Sequence, residues 1–486
     1  MSAKKNFIYN VIYQILLLIL PLITTPYIAR IIGPEGVGIQ SYTMSIANYF
    51  TLFAMLGINN HGSRSIAMVR SDKEELSKTF LSIYSLQVLT SVLVIMCYLI
   101  YSIFIAKEYK VFLCVQILYI ISAAFDINWF FFGMEQFKLT VIRNTAIKLL
   151  SVCSIFMFVK EYSDLYIYSI IIAGSALISQ LVLWRFIRRY IKFTKVTIDS
   201  IKKQFKPVLV LFIPVIAISI YKIMDKIMIG SMSSVIQVGF FENSEKIINI
   251  PLGLITALGT VMLPRISNLQ QNGNDDEIKK YMSISMEFVM IIAFGAMFGI
   301  IGVAPILIPI FLGDKFNECI NIVSLLSITL LFIAWANVIR TQFLIPRKFD
   351  KIYVISTILG AIINLLSNLF FISKYGALGA TIGTILAEAS VAVYQTIMVR
   401  KYLDIKCYFK RTIMYLIPAI IMFISIRCLQ HIFLKPLLTA IIQIIVGGSI
   451  YCLLVFMYMY ISKNYLLMSL LNNLKSIKLR KQSEAN

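Results

Sequence analysis

The chain has 486 residues, of which 59% are hydrophobic and 14% are charged, and its formal net charge is +22. Soluble domains are roughly 45–50% apolar and about 25% charged, so this composition excludes an ordinary soluble protein. Apolar runs of about twenty residues recur from end to end, and that is the length a helix needs to cross a bilayer. The runs are continuous rather than alternating, which favours helices over a membrane β-barrel.

The runs predict an all-α integral membrane protein with about fourteen transmembrane helices. In chain order the predicted spans are about 7–29, 37–60, 79–105, 111–133, 141–159, 165–184, 208–230, 238–263, 282–311, 318–342, 352–372, 377–399, 412–430 and 437–461. The loops between them are short, and the longest is a basic segment at 185–206 that divides the molecule.

Lysine and arginine concentrate in alternate loops. If the N-terminus is cytoplasmic, 31 of these residues fall on the cytoplasmic side and 7 on the outer side. Basic loops are retained in the cytoplasm, so we expect both termini there and an even number of spans. This topology also accounts for the positive net charge, and no nucleic-acid partner is expected.

The first hairpin, 7–64, returns at 208–265. Each copy contains two apolar runs around a short turn, at 33–36 in the first copy, and ends in a basic residue, Arg64 or Arg265. Both copies begin at the cytoplasm, which predicts a parallel repeat, as in some secondary transporters. Chance similarity between apolar helices is the alternative, but polar positions also match: Ser41, Ser45 and Asn48 align with Glu242, Lys246 and Asn249.

Charged and polar residues within spans are the candidate functional residues, because a charge near mid-membrane costs about 2.5–3.5 kcal/mol and usually faces a cavity or a partner. Glu242 and Lys246 share one helix face and could pair, or could line a polar cavity. Lys226 lies near the outer end of the span 208–230, and its side chain could extend to the outer membrane interface rather than face a cavity. The cationic and polar candidates for substrate binding are Lys148, Lys222, Lys246, Asn249 and Arg340, and those for ion coupling are Asp225, Glu242 and Glu388.

Catalytic motifs are not evident in the sequence. It has no phosphate-binding GxxxxGK[ST] loop, only two histidines and no CxxC pair among its seven cysteines. We therefore expect that the protein is not an enzyme and that it has no catalytic residues, metal or cofactor. A cationic, hydrated cavity would instead attract phosphate or diphosphate groups.

Three stretches carry a family resemblance: PLITTPYIARIIGPEGVG, GINNHGSRSIA and DKIMIG…VGFFENSEKIINIP…VMLPRIS. They resemble bacterial polysaccharide (O-unit, Wzx-type) flippases, in the superfamily of multidrug and toxin extrusion transporters and the lipid II flippase. The resemblance implies two six-helix bundles around a central cavity, with two extra C-terminal helices. The expected domains are 1–190 and 207–402 for the bundles, 191–206 for a cytoplasmic linker and 403–486 for the extra helices and tail.

The resemblance also implies a function in the bacterial cytoplasmic membrane. The protein would move an undecaprenyl-diphosphate-linked oligosaccharide repeat unit from the inner to the outer leaflet by alternating access, for surface polysaccharide biosynthesis. Its partners would be that substrate, membrane lipid, the polysaccharide polymerase machinery and a coupling ion, H⁺ or Na⁺. The motifs add Arg30 and Arg64 to the substrate-binding candidates, although Arg64 could merely anchor a helix end.

Two other functions are compatible with a membrane chain of this kind. A cation-coupled multidrug exporter of the same fold would have an acidic, aromatic cavity, whereas the charges within these spans are more cationic. A membrane glycan polymerase or transferase would carry catalytic residues in a long outer loop, and the outer loops here are short.

Overall fold

The computed structural model describes residues 3–192, 194–431 and 435–463, without the side chains of residues 3–18, 214, 217, 218 and 220–222. Over these ranges the chain is helical and contains no β-strand. The helices of the first half are α1 (Ala3–Met55), α2 (Ile58–Val69), α3 (Lys73–Ile100), α4 (Lys110–Ala124), α5 (Asn128–Gly133), α6 (Phe137–Phe158), α7 (Leu165–Ile187), α8 (Ile198–Met232) and α9 (Val235–Gln271). Those of the second half are α10 (Asp275–Leu312), α11 (Cys319–Leu326), α12 (Thr329–Ile339), α13 (Asp350–Tyr375), α14 (Ala377–Val399), α15 (Ile405–Ile413), α16 (Leu416–Cys428) and α17 (Pro436–Ile461).

These helices confirm the all-α fold and the fourteen predicted spans. A break divides α1 into two spans, while α4–α5, α11–α12 and α15–α16 each form one interrupted span. In the described part of the chain, eleven helical segments are long and apolar enough to cross a membrane. The protein is therefore a multi-pass membrane protein.

The turn of the first hairpin is shorter than the sequence predicts. Gly33, with φ 65° and ψ −179°, is the one non-helical residue inside α1. A positive φ costs glycine little, and Pro34 then resumes the helix at a position that needs no backbone N–H donor. The turn predicted over 33–36 is thus a break at a single residue.

The basic segment predicted as a linker is partly helical. Helix α8 begins at Ile198, where the Thr197 hydroxyl accepts a hydrogen bond from the Ser200 amide at 3.4 Å and Asp199 lies in the first turn. An N-terminal cap and an acidic residue in the first turn both stabilise a helix start. The cap therefore extends α8 into the charged segment that hydropathy alone places outside a span.

The chain divides into two compact units. Unit 1 contains Met1–Asn243 and Ala361–Gly383, and unit 2 contains Ser244–Gly360 and Thr384–Asn486. Unit 1 thus includes both short turns of the repeated hairpins, together with the C-terminal half of α13. The domain boundaries expected from the resemblance remain a prediction.

The interior of unit 1 is anchored by aromatic residues of α5. Trp129 and Phe130 are fully buried, and both rings pack against Phe80 of α3 at centroid distances of 5.4 and 5.1 Å. Gly62 of α2 lies so close to the Trp129 ring that a Cβ there would be 2.4 Å from it. This cluster fixes α2, α3 and α5 to one another.

In unit 2, the two C-terminal spans are attached to α10 along much of its length. The Tyr415 hydroxyl donates to the buried Glu287 carboxylate, and the Tyr451 hydroxyl donates to the Ile291 carbonyl at 2.7 Å. Further along α10, Arg427 donates to the Ile301 carbonyl at 3.0 Å. These three side chains each have a hydrogen-bond partner on the neighbouring helix, which offsets the cost of burying polar groups in a low-dielectric interior.

Candidate functional site

The two copies of the repeated hairpin meet inside unit 1 at a pair of glycines. A Cβ on Gly38 would lie 1.7 Å from the Val235 carbonyl oxygen, and a Cβ on Gly239 would lie 2.0 Å from the Pro34 carbonyl oxygen. Gly38 and Gly239 occupy equivalent places in the repeat, as do Pro34 and Val235, so the contact is reciprocal. Only glycine allows two helix backbones to approach this closely.

A charged bridge joins the hairpins one turn beyond the glycines. The Lys226 ammonium lies 2.6 Å from Glu242 Oε2, and each side chain is 17% exposed. The Ser41 hydroxyl donates to the same oxygen at 2.8 Å, across a sequence separation of 201 residues. Ser41 and Glu242 are equivalent positions of the repeat. Lys226 thus pairs with a carboxylate inside the unit, and the idea that it extends to the interface is wrong.

Asp225 lies in a second polar group, formed with α13. Its carboxylate is 4% exposed and accepts a hydrogen bond from Asn368 Nδ2 at 2.6 Å. Asn368 Nδ2 also donates to Asn364 Oδ1 at 3.2 Å, and both asparagines are fully buried. The remaining oxygen, Asn368 Oδ1, accepts no hydrogen bond within the described structure. The group therefore presents carboxylate and amide oxygens, which are ligands suited to a hard cation.

Neither asparagine is among the site residues predicted from the sequence. Asn364 and Asn368 are spaced by four residues within an apolar span, so they lie on one helix face. That spacing is a recognisable signal. An amide within a span is less costly than a charge, so it points to a functional site less strongly than a charged residue does.

The other predicted site residues are distributed over the two units. In unit 1, Arg30, Arg64 and Lys148 are exposed, and the Lys222 side chain is outside the described residues. In unit 2, Asn249 is exposed and Glu388 is buried. Lys246 and Arg340 are half-buried, and the Arg340 guanidinium lies 5.9 Å from the centroid of the Tyr353 ring. Their roles in binding or coupling remain predictions.

A buried arginine organises the interrupted span α4–α5. Arg143 donates to Asn128 Oδ1 at 2.6 Å and to the Ser179 hydroxyl at 2.9 Å. Asn128 in turn donates from Nδ2 to Asp126 Oδ1 at 2.7 Å. Asn128 therefore links a buried cation to a carboxylate, which explains how a charged residue is accommodated within a predicted span.

Comparisons with known proteins agree with this architecture. Residues 3–270 match the family model described as "Polysaccharide biosynthesis protein". The "Putative O-antigen transporter" of Escherichia coli K12 is 23% identical over 408 residues, which cover 82% of this chain and 97% of that protein. The "Lipid II flippase MurJ" of Bacillus subtilis is 24% identical over 223 residues, covering 43% of this chain and 41% of that protein.

Solved structures share the fold over most of the chain. The inward closed conformation of the lipid II flippase MurJ has a TM-score of 0.75 at 17% identity, covering 94% of this chain and 99% of that one. An inward-facing multidrug transporter of the MATE family, in the MOP superfamily, has a TM-score of 0.55 at 14% identity, covering 81% of this chain and 99% of that one. The chain thus shares its fold with these two transporters, and by its sequence it belongs to the polysaccharide biosynthesis protein family.

Proposed function

We propose that the protein is a flippase for an undecaprenyl-diphosphate-linked oligosaccharide repeat unit. It moves this substrate from the inner to the outer leaflet of the bacterial cytoplasmic membrane, with both termini cytoplasmic, and delivers it to the polysaccharide polymerase machinery. Family membership and relatives named as an O-antigen transporter, a lipid II flippase and a glycan biosynthesis flippase support this substrate class. The same names support a transporter rather than an enzyme.

One observation carries the proposal: two equivalent membrane hairpins meet glycine to glycine, with a largely buried charge pair beside the contact. A duplicated scaffold of this kind suits alternating access, in which one part of the protein moves against another. The polar headgroup cannot cross lipid unaided, because unpaired charges and hydroxyls are too costly to bury. We assign binding of the diphosphate to the cationic candidates Arg30, Arg64, Lys148, Lys222, Lys246 and Arg340, with Asn249 as a neutral contact.

The function is tested by deleting the gene and by reconstitution. We expect the deletion strain to accumulate lipid-linked glycan facing the cytoplasm. Purified protein in liposomes should move a fluorescent undecaprenyl-diphosphate oligosaccharide between leaflets. Normal surface glycan with altered drug sensitivity would instead indicate a multidrug exporter and would contradict the proposal.

We propose that a coupling cation, Na⁺ in preference to H⁺, binds at Asp225. The buried asparagine oxygens beside it are neutral ligands that suit a metal cation and do not themselves take up a proton. Glu388 and Glu242 remain alternative coupling carboxylates. Glu388 is buried, whereas Glu242 is already bonded to Lys226 and Ser41.

The variant Asp225→Asn is expected to slow Na⁺-driven translocation at least about tenfold, because an amide keeps the bond from Asn368 but lacks the charge that holds a cation. Rates are measured in proteoliposomes under a Na⁺ gradient and, separately, a pH gradient. Asp199→Asn, at the exposed start of the same helix, is the control. An Asp225→Asn protein with unchanged Na⁺ dependence would exclude this site.

A further inference from the structure

We infer that a cavity inside unit 1 binds one neutral sugar ring of the glycan headgroup, an inference that rests on the proposed flippase function. The cavity is lined by the C-terminal part of α1, the start of α2, and α4, α7 and α8, and its volume is about 270 Å³. Small-molecule sites span roughly 300–1,000 Å³, so the space suits a single ring rather than an oligosaccharide. None of the predicted site residues whose side chains are described lines it.

The polar wall of the cavity offers hydrogen-bonding groups of both kinds. Asp126 Oδ1 accepts hydrogen bonds from the Asn128 backbone N–H at 2.8 Å and from Asn128 Nδ2 at 2.7 Å. Oδ2 of the same carboxylate accepts no hydrogen bond from the residues described. The buried Thr51 hydroxyl is likewise unpaired with any of those residues. Tyr119 and the amides of Asn59 and Asn60 complete the wall. Each sugar hydroxyl both donates and accepts, so this mixture matches a polyhydroxyl ligand.

Gln180 is held in a fixed orientation on the opposite helix. Its Oε1 accepts from Asn128 at 3.1 Å and from Arg143 at 3.3 Å. The amide nitrogen is then left as a donor for a ligand, beside the Asp126 acceptor. A donor and an acceptor fixed by neighbouring residues reduce the entropy lost on binding.

The remaining wall is apolar. Leu52, Met55, Leu56 and Val215 line it, with Ala176 where α7 passes. A sugar ring has a C–H face as well as hydroxyl groups, so a wall that is polar on one side and aliphatic on the other is complementary to it.

The charge of the cavity selects between sugar classes. Among the lining residues that the structure describes there is no lysine or arginine, and their one formal charge is the Asp126 carboxylate. Arg143 is not one of the lining residues, and it donates to Asn128, Ser179 and Gln180 behind the wall. A uronic acid would therefore meet a like charge with no described cation in the wall to bind it, and we assign the diphosphate to a different site.

Binding is tested with soluble probes on the full-length protein in lipid nanodiscs. Saturation-transfer NMR with methyl glycosides of glucose, galactose, N-acetylglucosamine and glucuronic acid should show binding of at least one neutral sugar. That sugar should bind at least about tenfold more tightly than the glucuronide. Asp126→Asn should weaken it about tenfold and remove the discrimination, since Oδ2 becomes a donor. Absence of binding by all neutral sugars, or tighter binding of the glucuronide, would overturn the inference.

A second pair of variants tests the location. Ala176→Trp fills the cavity and should abolish both sugar binding and translocation, whereas Ile178→Trp, on the exposed side of the same helix, should leave both unchanged. Should Ala176→Trp fail to fold, the Asp126→Asn measurement decides alone. Full translocation and sugar binding by folded Ala176→Trp would refute the cavity site while leaving the flippase function intact. A wild-type protein that moves no lipid-linked glycan would refute the function itself.

Discussion

Replacing Gly38 by alanine is expected to destabilise the folded protein by about 3 kcal/mol or more, the upper end of the cost of overpacking. The added Cβ would meet the Val235 carbonyl oxygen at 1.7 Å, and backbone on both sides cannot rotate away as a side chain can. Gly239→Ala should cost a similar amount, because its Cβ would meet the Pro34 carbonyl oxygen at 2.0 Å. Thermal unfolding in detergent, followed by size-exclusion chromatography, measures the loss.

Gly174→Ala is the matched control, since a Cβ on that glycine of α7 would have no neighbour within 4 Å. It should be neutral or slightly stabilising, because alanine favours a helix over glycine by about 1 kcal/mol. Wild-type stability in Gly38→Ala would mean that the two hairpins do not meet at this pair of residues.

Truncating either member of the Lys226–Glu242 pair should cost about 3 kcal/mol, because the remaining, largely buried charge would lose the partner that lies 2.6 Å away. Both side chains are only 17% exposed, so solvent compensates little for a lost partner. The double variant Lys226→Met with Glu242→Leu should recover most of that stability, since an apolar pair of similar size is often as stable as a buried ion pair. Unfolding of the four proteins of the double-mutant cycle gives the coupling energy directly.

Translocation rates of the same four proteins distinguish a structural role of the Lys226–Glu242 pair from a role in transport. We expect the double variant to recover transport together with stability, because Glu242 Oε2 is already bonded to Lys226 and Ser41 and so serves a structural contact. A stable double variant that fails to transport would instead assign Glu242 a part in ion coupling. Single variants as stable as wild type would show that the pair contributes nothing to folding.

The fold could be predicted from the sequence because transmembrane helices are encoded locally. Length, hydropathy and the distribution of basic loops are enough to find the spans, and equal spacing from Gly38 and Gly239 to the following arginine reveals the repeat. The Gly-Pro pair at residues 33 and 34 predicts a turn at this place. Its restriction to one residue could not be predicted, because a φ of 65° at Gly33 leaves no pattern in the neighbouring sequence.

The polar contacts could be predicted only in part. The sequence singles out Asp225, Lys226 and Glu242 as charges that need partners, but partner choice depends on helix rotation and on contacts distant in sequence. Lys226 pairs across the turn with Glu242, and Asp225 pairs with Asn368, 143 residues away. Asp126 was visible as an acidic residue beside a span, yet its cavity draws on five helices and has no signature in any one of them.

The attachment of the last two spans to α10 constrains how the chain could be shortened. A version ending near residue 403 would leave the Glu287 carboxylate facing lipid without the Tyr415 hydroxyl. It would also expose the flat surface at Gly295 and Gly302, where Tyr451 and Ile426 now pack. Restoring a lipid-compatible surface would require an apolar residue at 287 and larger side chains at both glycines. Loss of the C-terminal pair therefore demands coordinated substitutions on α10, and a simple truncation should yield an unstable protein.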